Sequence, residues 1–218
     1  MSAVAWLDEA ARLAFARAGL RTLEEFADCR VGEPITSART RWLRRLSLEG
    51  THWYLKVQDL RAVSLPLTRW PSFVFKGSSV TREVATCAIL RQHGFRTPDV
   101  IAHAKSRGFV FPKLAMLLTR EVPGHVDLAA WLARRPAPEA AQLAMDAADG
   151  LLRAAHHRGL VLLGAKYRNL LVPQSGPRRP EDFVILDQPD LRESRSARLR
   201  RKCQALLDRD RARYGART

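Results

Sequence analysis

Two apolar runs that each lead to a polar residue constrain this chain most: "LLGA", ahead of Asn169, and "FVIL", ahead of Asp187. Each reads as a buried strand that delivers a polar side chain at its end. Upstream, "WYLKV" does the same with Lys56, and "TREVA" sets Glu83 near the start of a helical pattern. A fold that suits this sequence must place four polar groups at the ends of apolar elements, in that order.

The rest of the pattern supplies the elements between them. Val4, Leu7, Ala11, Ala14, Phe15 and Ala18 recur at helical spacing before Gly19, which predicts an amphipathic helix over residues 3 to 18. A second short helix is expected over Thr22 to Asp28. Two β-rich runs flank Glu49-Gly50, predicting a hairpin with strands near 39 to 47 and 52 to 58. Alternation puts Trp53, Leu55 and Val57 on one face, Tyr54 and Lys56 on the other. A Pro- and Trp-containing loop, "SLPLTRWPSFVFKGSS", leads to a helix from Thr81 to His93, stopped by Gly94.

Two or three strands are then expected in "PDVIAHAKSRGFVFPKLAMLLTREV", and a connector with a short helix begun near Asp127. An Ala-rich helix follows over residues 139 to 157. Val161 to Val172 reads as apolar segments around a turn, "FVILD" as a short buried strand, and Arg195 to Tyr214 as a basic helix with Leu199, Cys203, Leu206 and Leu207 on one side. No internal repeat is visible.

With 218 residues and 46% hydrophobic content, the chain can bury a sizeable core, as one domain or as two lobes. A net charge of +15 predicts attraction to something anionic: nucleic acid, a phosphorylated glycolipid or an acidic membrane surface. Cys29, Cys87 and Cys203 lie far apart and form no C-x-x-C, so neither a disulfide framework nor a zinc site is indicated. No run is long and apolar enough to span a membrane, and the N-terminus lacks a basic region before an apolar one. A protein kept in the reducing cytosol is expected.

Phosphoryl transfer from ATP needs a cation on the phosphates, a carboxylate that fixes the cation, metal ligands, and a residue that orients the nucleophile. A strand lysine with a helix glutamate, Lys56 and Glu83, suits the first two roles. Asn169 and Asp187 suit the metal ligands. An Asp after a buried strand also serves as a plain turn or cap residue, so the order of the four carries the reading.

The chain resembles the lipopolysaccharide kinase (Kdo/WaaP) family, including its InaA-like members, bacterial relatives of the protein kinases. The matching pieces are "WYLKV", "TREVATCAILRQHGFRTPDVIA", "LLTREVPGHVDLAAWL", "LLRAAHHRGL", "AKYRNLLV" and "FVILDQPDLR", over about residues 30 to 207. The resemblance implies an α+β, two-lobed protein-kinase-like fold with a reduced helical C-lobe. Residues 1–29 would form a helical extension, 30–122 the N-lobe and 123–218 the C-lobe with its basic helix. It further implies ATP and Mg2+ as cofactors, with Lys56 on the phosphates, Glu83 orienting it, Glu121 at the nucleotide in the inter-lobe hinge, and Asn169 and Asp187 on magnesium. Family members phosphorylate Kdo or heptose in the lipid A–core glycolipid, in the cytoplasm or at the periphery of the inner membrane.

The departures bear on activity. Counting back from Asn169, the catalytic-loop His, Arg and Asp fall on Leu162, Leu163 and Gly164, and no Asp or Glu occurs between Asp149 and Glu181. Loss of a general base costs roughly two to four orders of magnitude. The phosphate-covering segment "RVGEPITSART" holds one glycine, Gly32. Tyr54, on the Lys56 face, would stack on adenine or block it. His156 and His157, at a helix end before a glycine, read as partners of the helix dipole rather than as a replacement base.

Residues 190 to 218 hold ten Arg or Lys against four acids. Such a helix lies against anionic headgroups, or docks on the C-lobe and keeps a solvated basic face. The expectation is therefore a lipopolysaccharide-kinase-like protein of weak or absent transferase activity, with an anionic glycolipid or membrane surface as partner. The alternative is a pseudokinase that binds nucleotide, glycolipid or a protein partner without turnover. A nucleic-acid reading ranks third, because no RNP-like, GXXG or zinc-finger pattern accompanies the charge.

Overall fold

A computed structural model describes residues 3–61, 79–106, 112–188 and 190–215. The Pro- and Trp-containing loop falls almost wholly outside the described residues. The chain divides into two compact units, residues 1–85 with 99–121, and residues 86–98 with 122–218.

The first unit is built on a six-stranded antiparallel sheet. Its strands are β1 (Ala5–Trp6), β2 (Glu33–Ala38), β3 (Arg41–Leu48), β4 (Thr51–Asp59), β5 (Val100–Lys105) and β6 (Leu114–Arg120), in spatial order β1-β5-β6-β4-β3-β2. The expected hairpin is β3–β4, turning at Glu49 and Gly50, both at positive φ. Helix α1 (Glu9–Arg17) and α2 (Leu23–Asp28) cover one face of the sheet. There Phe15, Phe26 and Trp53 meet at ring-centroid distances of 5.6 Å, beside the buried Leu55 and Val57.

The first helix is shorter than the expected 3 to 18. Asp8 accepts a hydrogen bond from the Ala11 amide and caps a helix that begins at Glu9. Ala5 and Trp6 instead pair with His103 and Ala102 at the sheet edge. Strand β2 was not expected. Gly32, ahead of it, has φ +88° and lies where an added Cβ would sit 2.4 Å from the Arg45 carbonyl oxygen, so only glycine lets the chain pass.

Helix α3 (Ser79–Gln92) leaves the first unit and enters the second after Ala85. The second unit contains β7 (His125–Asp127), α4 (Leu128–Ala133), α5 (Pro138–His157), β8 (Leu160–Leu162), β9 (Leu170–Pro173), β10 (Val184–Ile185), β11 (Leu191–Glu193) and α6 (Ala197–Gly215). Small sheets form in the orders β10-β9-β7 and β11-β8. Helix α5 buries a face of small residues, Ala141, Ala144, Ala148 and Ala155, with Leu151 and Leu152.

Helix α6 docks through Cys203 and Leu207, both buried, with Leu199 packed at the margin. Its Arg211 ties it to α5 through Asp149 at 2.5 Å and Asp146 at 2.6 Å. The apolar side of the basic helix is thus engaged within the unit. His156, in the last turn of α5, has its pKa lowered by burial first, then by the Arg200 and His157 charges. These surroundings disfavour its charged form.

Truncating Phe15 to Ala should cost the first unit about 3–5 kcal/mol, read as a urea unfolding transition followed by tryptophan fluorescence, since Trp53 lies against that ring. The Cys203 thiol donates to the Leu162 carbonyl at 2.8 Å, and burial pushes its pKa up to about 11. Iodoacetamide at pH 8 should leave Cys203 unmodified in the native protein and modify it in urea, by mass spectrometry. Because the folded pKa is the higher, this thiol's contribution to stability is full below the unfolded thiol range and lost as pH rises toward 11.

Candidate active site

In the first unit, the alternation of β4 that buries Trp53, Leu55 and Val57 sends Lys56 to the opposite face. Val80 and Val84 of α3 pack on that face against Ala115 and Leu117 of β6. Glu83 shares their side of the helix, by the i, i+3, i+4 spacing. Lys56 Nζ and Glu83 Oε2 meet at 2.6 Å, with side-chain exposures of 24% and 12%. A carboxylate this far out of water is costly unless it is paired, so the lysine stabilises the glutamate as much as the reverse.

Tyr54 lies two residues earlier on the same face, half-buried, and burial raises its pKa. Arg45 stands directly across from it on β3. That arginine holds the Glu121 carboxylate with both oxygens engaged, the shortest contact being 2.8 Å. The Glu121 amide donates to the His52 carbonyl at 3.0 Å. The Glu121 carboxylate is therefore committed to Arg45, and its backbone closes the end of β6 onto β4.

In the second unit, β8 ends in a turn at Leu163 and Gly164, followed by one 3-10 turn, Tyr167–Asn169, and then β9. Asn169 is buried and donates from Nδ2 to the Gly164 carbonyl at 2.9 Å. Its own amide donates to the Lys166 carbonyl at 2.8 Å. The Leu186 amide donates to the Asn169 carbonyl at 2.8 Å, which sets the residue before Asp187 against the loop. Asp187 has φ +47°, a left-handed conformation that a non-glycine residue holds only where its surroundings impose it. The backbone bond from Leu186 thus ties the segment that leads to Asp187 to the turn that ends at Asn169.

Gln188 was not anticipated. It is 1% exposed, accepts from the Gly164 amide on Oε1 at 3.1 Å, and donates from Nε2 to the Leu186 carbonyl at 3.0 Å. A Cβ added at Gly164 would stand 3.0 Å from Gln188 Oε1 and 3.1 Å from the Asp187 carbonyl oxygen. A side chain at position 164 would therefore press on Gln188, the residue that follows Asp187. The only signal in the sequence is an uncharged amide directly after a buried strand, where burial demands that both ends find partners.

Among the described residues no three His, Cys, Asp or Glu side chains gather as a metal site. Asn169 and Asp187 offer an amide oxygen and a carboxylate. These are hard donors of the kind magnesium accepts when phosphate oxygens and water complete its shell, so the residues present fit that ion.

The model of the lipopolysaccharide kinase (Kdo/WaaP) family matches residues 29–204, most of the chain. Among solved structures, "WaaP in complex with acyl carrier protein" matches with a TM-score of 0.64 and 18% identity, over 95% of this chain and 80% of that one. This likeness shows the fold: helices and strands combined in a kinase-like α+β arrangement, as expected from the sequence. None of the curated proteins compared matches. Among the described residues no helix is long and apolar enough to cross a membrane.

The contact between Gly164 and Gln188 is measurable as a coupling. Gly164→Ala should destabilise the second unit by about 1–3 kcal/mol through overpacking. In a Gln188→Ala background the cost should shrink, giving an interaction energy of about 0.5–2 kcal/mol in a double-mutant cycle by chemical denaturation. Strictly additive effects would mean that the two positions do not touch.

Proposed function

Because the chain belongs to the lipopolysaccharide kinase (Kdo/WaaP) family, we propose that it is an ATP-dependent sugar phosphotransferase of low turnover, acting on Kdo or heptose of a lipopolysaccharide core. The observation that carries the proposal is the half-buried Lys56–Glu83 pair at 2.6 Å. A lysine so held is pre-oriented as a point charge for phosphate oxygens, at no further entropic cost on binding. Asn169 and Asp187 are the side chains that would hold magnesium. ATP would supply the phosphoryl group there, and magnesium would offset its negative charge.

Gly164 limits the rate. The acceptor hydroxyl finds no carboxylate there to orient it or take its proton, and the remaining acceleration comes from positioning and charge. Recognition of the acceptor glycolipid is supported by the chain's net charge of +15.

A second reading is a pseudokinase that binds nucleotide or a partner without transfer. It draws on one observation, that Gln188 bonds the Gly164 amide and stands 3.0 Å from where a Cβ at position 164 would lie. The solved relative's complex with acyl carrier protein supports a protein partner under either reading.

Transfer of labelled γ-phosphate from Mg-ATP to dephosphorylated lipid A–core acceptor decides between them. The natural protein should transfer slowly, Lys56→Met and Asp187→Ala should abolish transfer, and Gly164→Asp with Gln188→Ala should raise it by at least about tenfold. Gly164→Asp alone should gain less, because Gln188 stands in the way. Mg-ATP binding without any transfer would favour the pseudokinase; neither binding nor transfer would overturn both readings.

A further inference from the structure

The second unit carries a basic cavity separate from the Gly164–Gln188 contact. It has a volume of about 200 Å³ and lies between the loop preceding Asn169 and one face of α6. Lys166 and Arg168 come from the loop, Arg209 and Arg213 from successive turns of the helix. The i, i+4 spacing of the two helical arginines places them on one side, next to the apolar stripe that docks α6.

The lining is charged out of balance. Its single carboxylate, Asp210, accepts the Tyr167 amide at 2.8 Å. None of the ion pairs among the described residues involves Lys166, Arg168, Arg209 or Arg213. Elsewhere on α6 the contrast is plain, since Arg211 is matched by Asp146 and Asp149. Arg168, Arg209 and Arg213 are exposed, so water and salt screen part of their repulsion, and an anion with several acceptor oxygens relieves the rest. Arginine forks fit phosphate with two parallel hydrogen bonds.

We propose that this cavity binds a phosphate monoester, and that the phosphate is one carried by a phosphorylated saccharide. Leu206 and Tyr214 give the cavity an apolar, aromatic wall, suited to the ring from which the phosphate hangs. The phosphate chemistry stands independently of the proposed function; the saccharide source rests on it. Because the Asn169 amide is bonded to the Lys166 carbonyl, a ligand on this loop also steadies the turn that presents Asn169.

The test uses the full chain without nucleotide, so its failure is read separately from failure of phosphoryl transfer. Binding is measured to phosphatidylcholine vesicles carrying lipid A, to the same vesicles carrying lipid A stripped of its phosphates, and to inorganic phosphate. Arg209→Gln with Arg213→Gln is compared with Arg198→Gln with Arg201→Gln, which removes equal charge from exposed positions of the same helix outside the cavity. The cavity variant should bind lipid A at least about tenfold more weakly than the natural protein, with the control variant little changed. Inorganic phosphate should compete.

Equal losses in both variants would mean diffuse charge and overturn the site. Phosphate binding lost in the cavity variant, with no preference for lipid A over its stripped form, would overturn the saccharide source. Should the cavity variant fail to fold, acetylation of the natural protein gives the answer: phosphate should protect Lys166 and leave the exposed Lys202 reactive, and equal reactivity would overturn the proposal.

Discussion

Lys56 and Glu83 hold each other at 2.6 Å with most of both side chains out of water. Burying either charge unpaired would be costly, so the pair favours one register of β4 against the start of α3. The consequences run outward through the first unit. Trp53, Leu55 and Val57 must then face the other way, where α1 and α2 close over them. The aromatic cluster of Phe15, Phe26 and Trp53 is, in this sense, the reverse side of the ion pair.

The second unit is organised by hydrogen bonds to a glycine rather than by a charge. Gly164 gives its carbonyl to Asn169 and its amide to Gln188, and both partners belong to elements that flank Asp187 in sequence or space. A side chain at this position would crowd the glutamine and the Asp187 carbonyl. Positions 164 and 188 are thus coupled, and a change at one is felt at the other.

What could be read in the sequence was whatever depends on local periodicity. The alternation in "WYLKV" oriented Lys56, helical spacing placed Glu83, and the apolar runs before Asn169 and Asp187 located both. Strand β2 escaped because all six of its residues, "EPITSA", are exposed, so no alternation of burial marks them. Strand β1 escaped because Val4 and Leu7 imitate a helical stripe, and only the distant β5 makes Ala5 and Trp6 a strand. The Arg45 hold on Glu121 and the Gln188 bridge join residues far apart in the chain, and no local pattern encodes such pairs.

The two cores differ in grain. The first gathers Phe15, Phe26 and Trp53 in mutual contact; the second sets Phe95, Trp131, Tyr167 and Phe183 around a helix whose buried face is mostly alanine. A close-packed interior has no spare volume, so each kind of packing has its own direction of harm. Substitutions that shrink a residue leave cavities among the rings, whereas substitutions that enlarge one prise α5 away from its neighbours. Within the second unit both hazards coexist: a shrinking change at Tyr167 or Phe183 opens a cavity, and an enlarging change at Ala144 or Ala148 pushes α5 off its neighbours, so tolerance at one buried position is a poor guide to tolerance at the next.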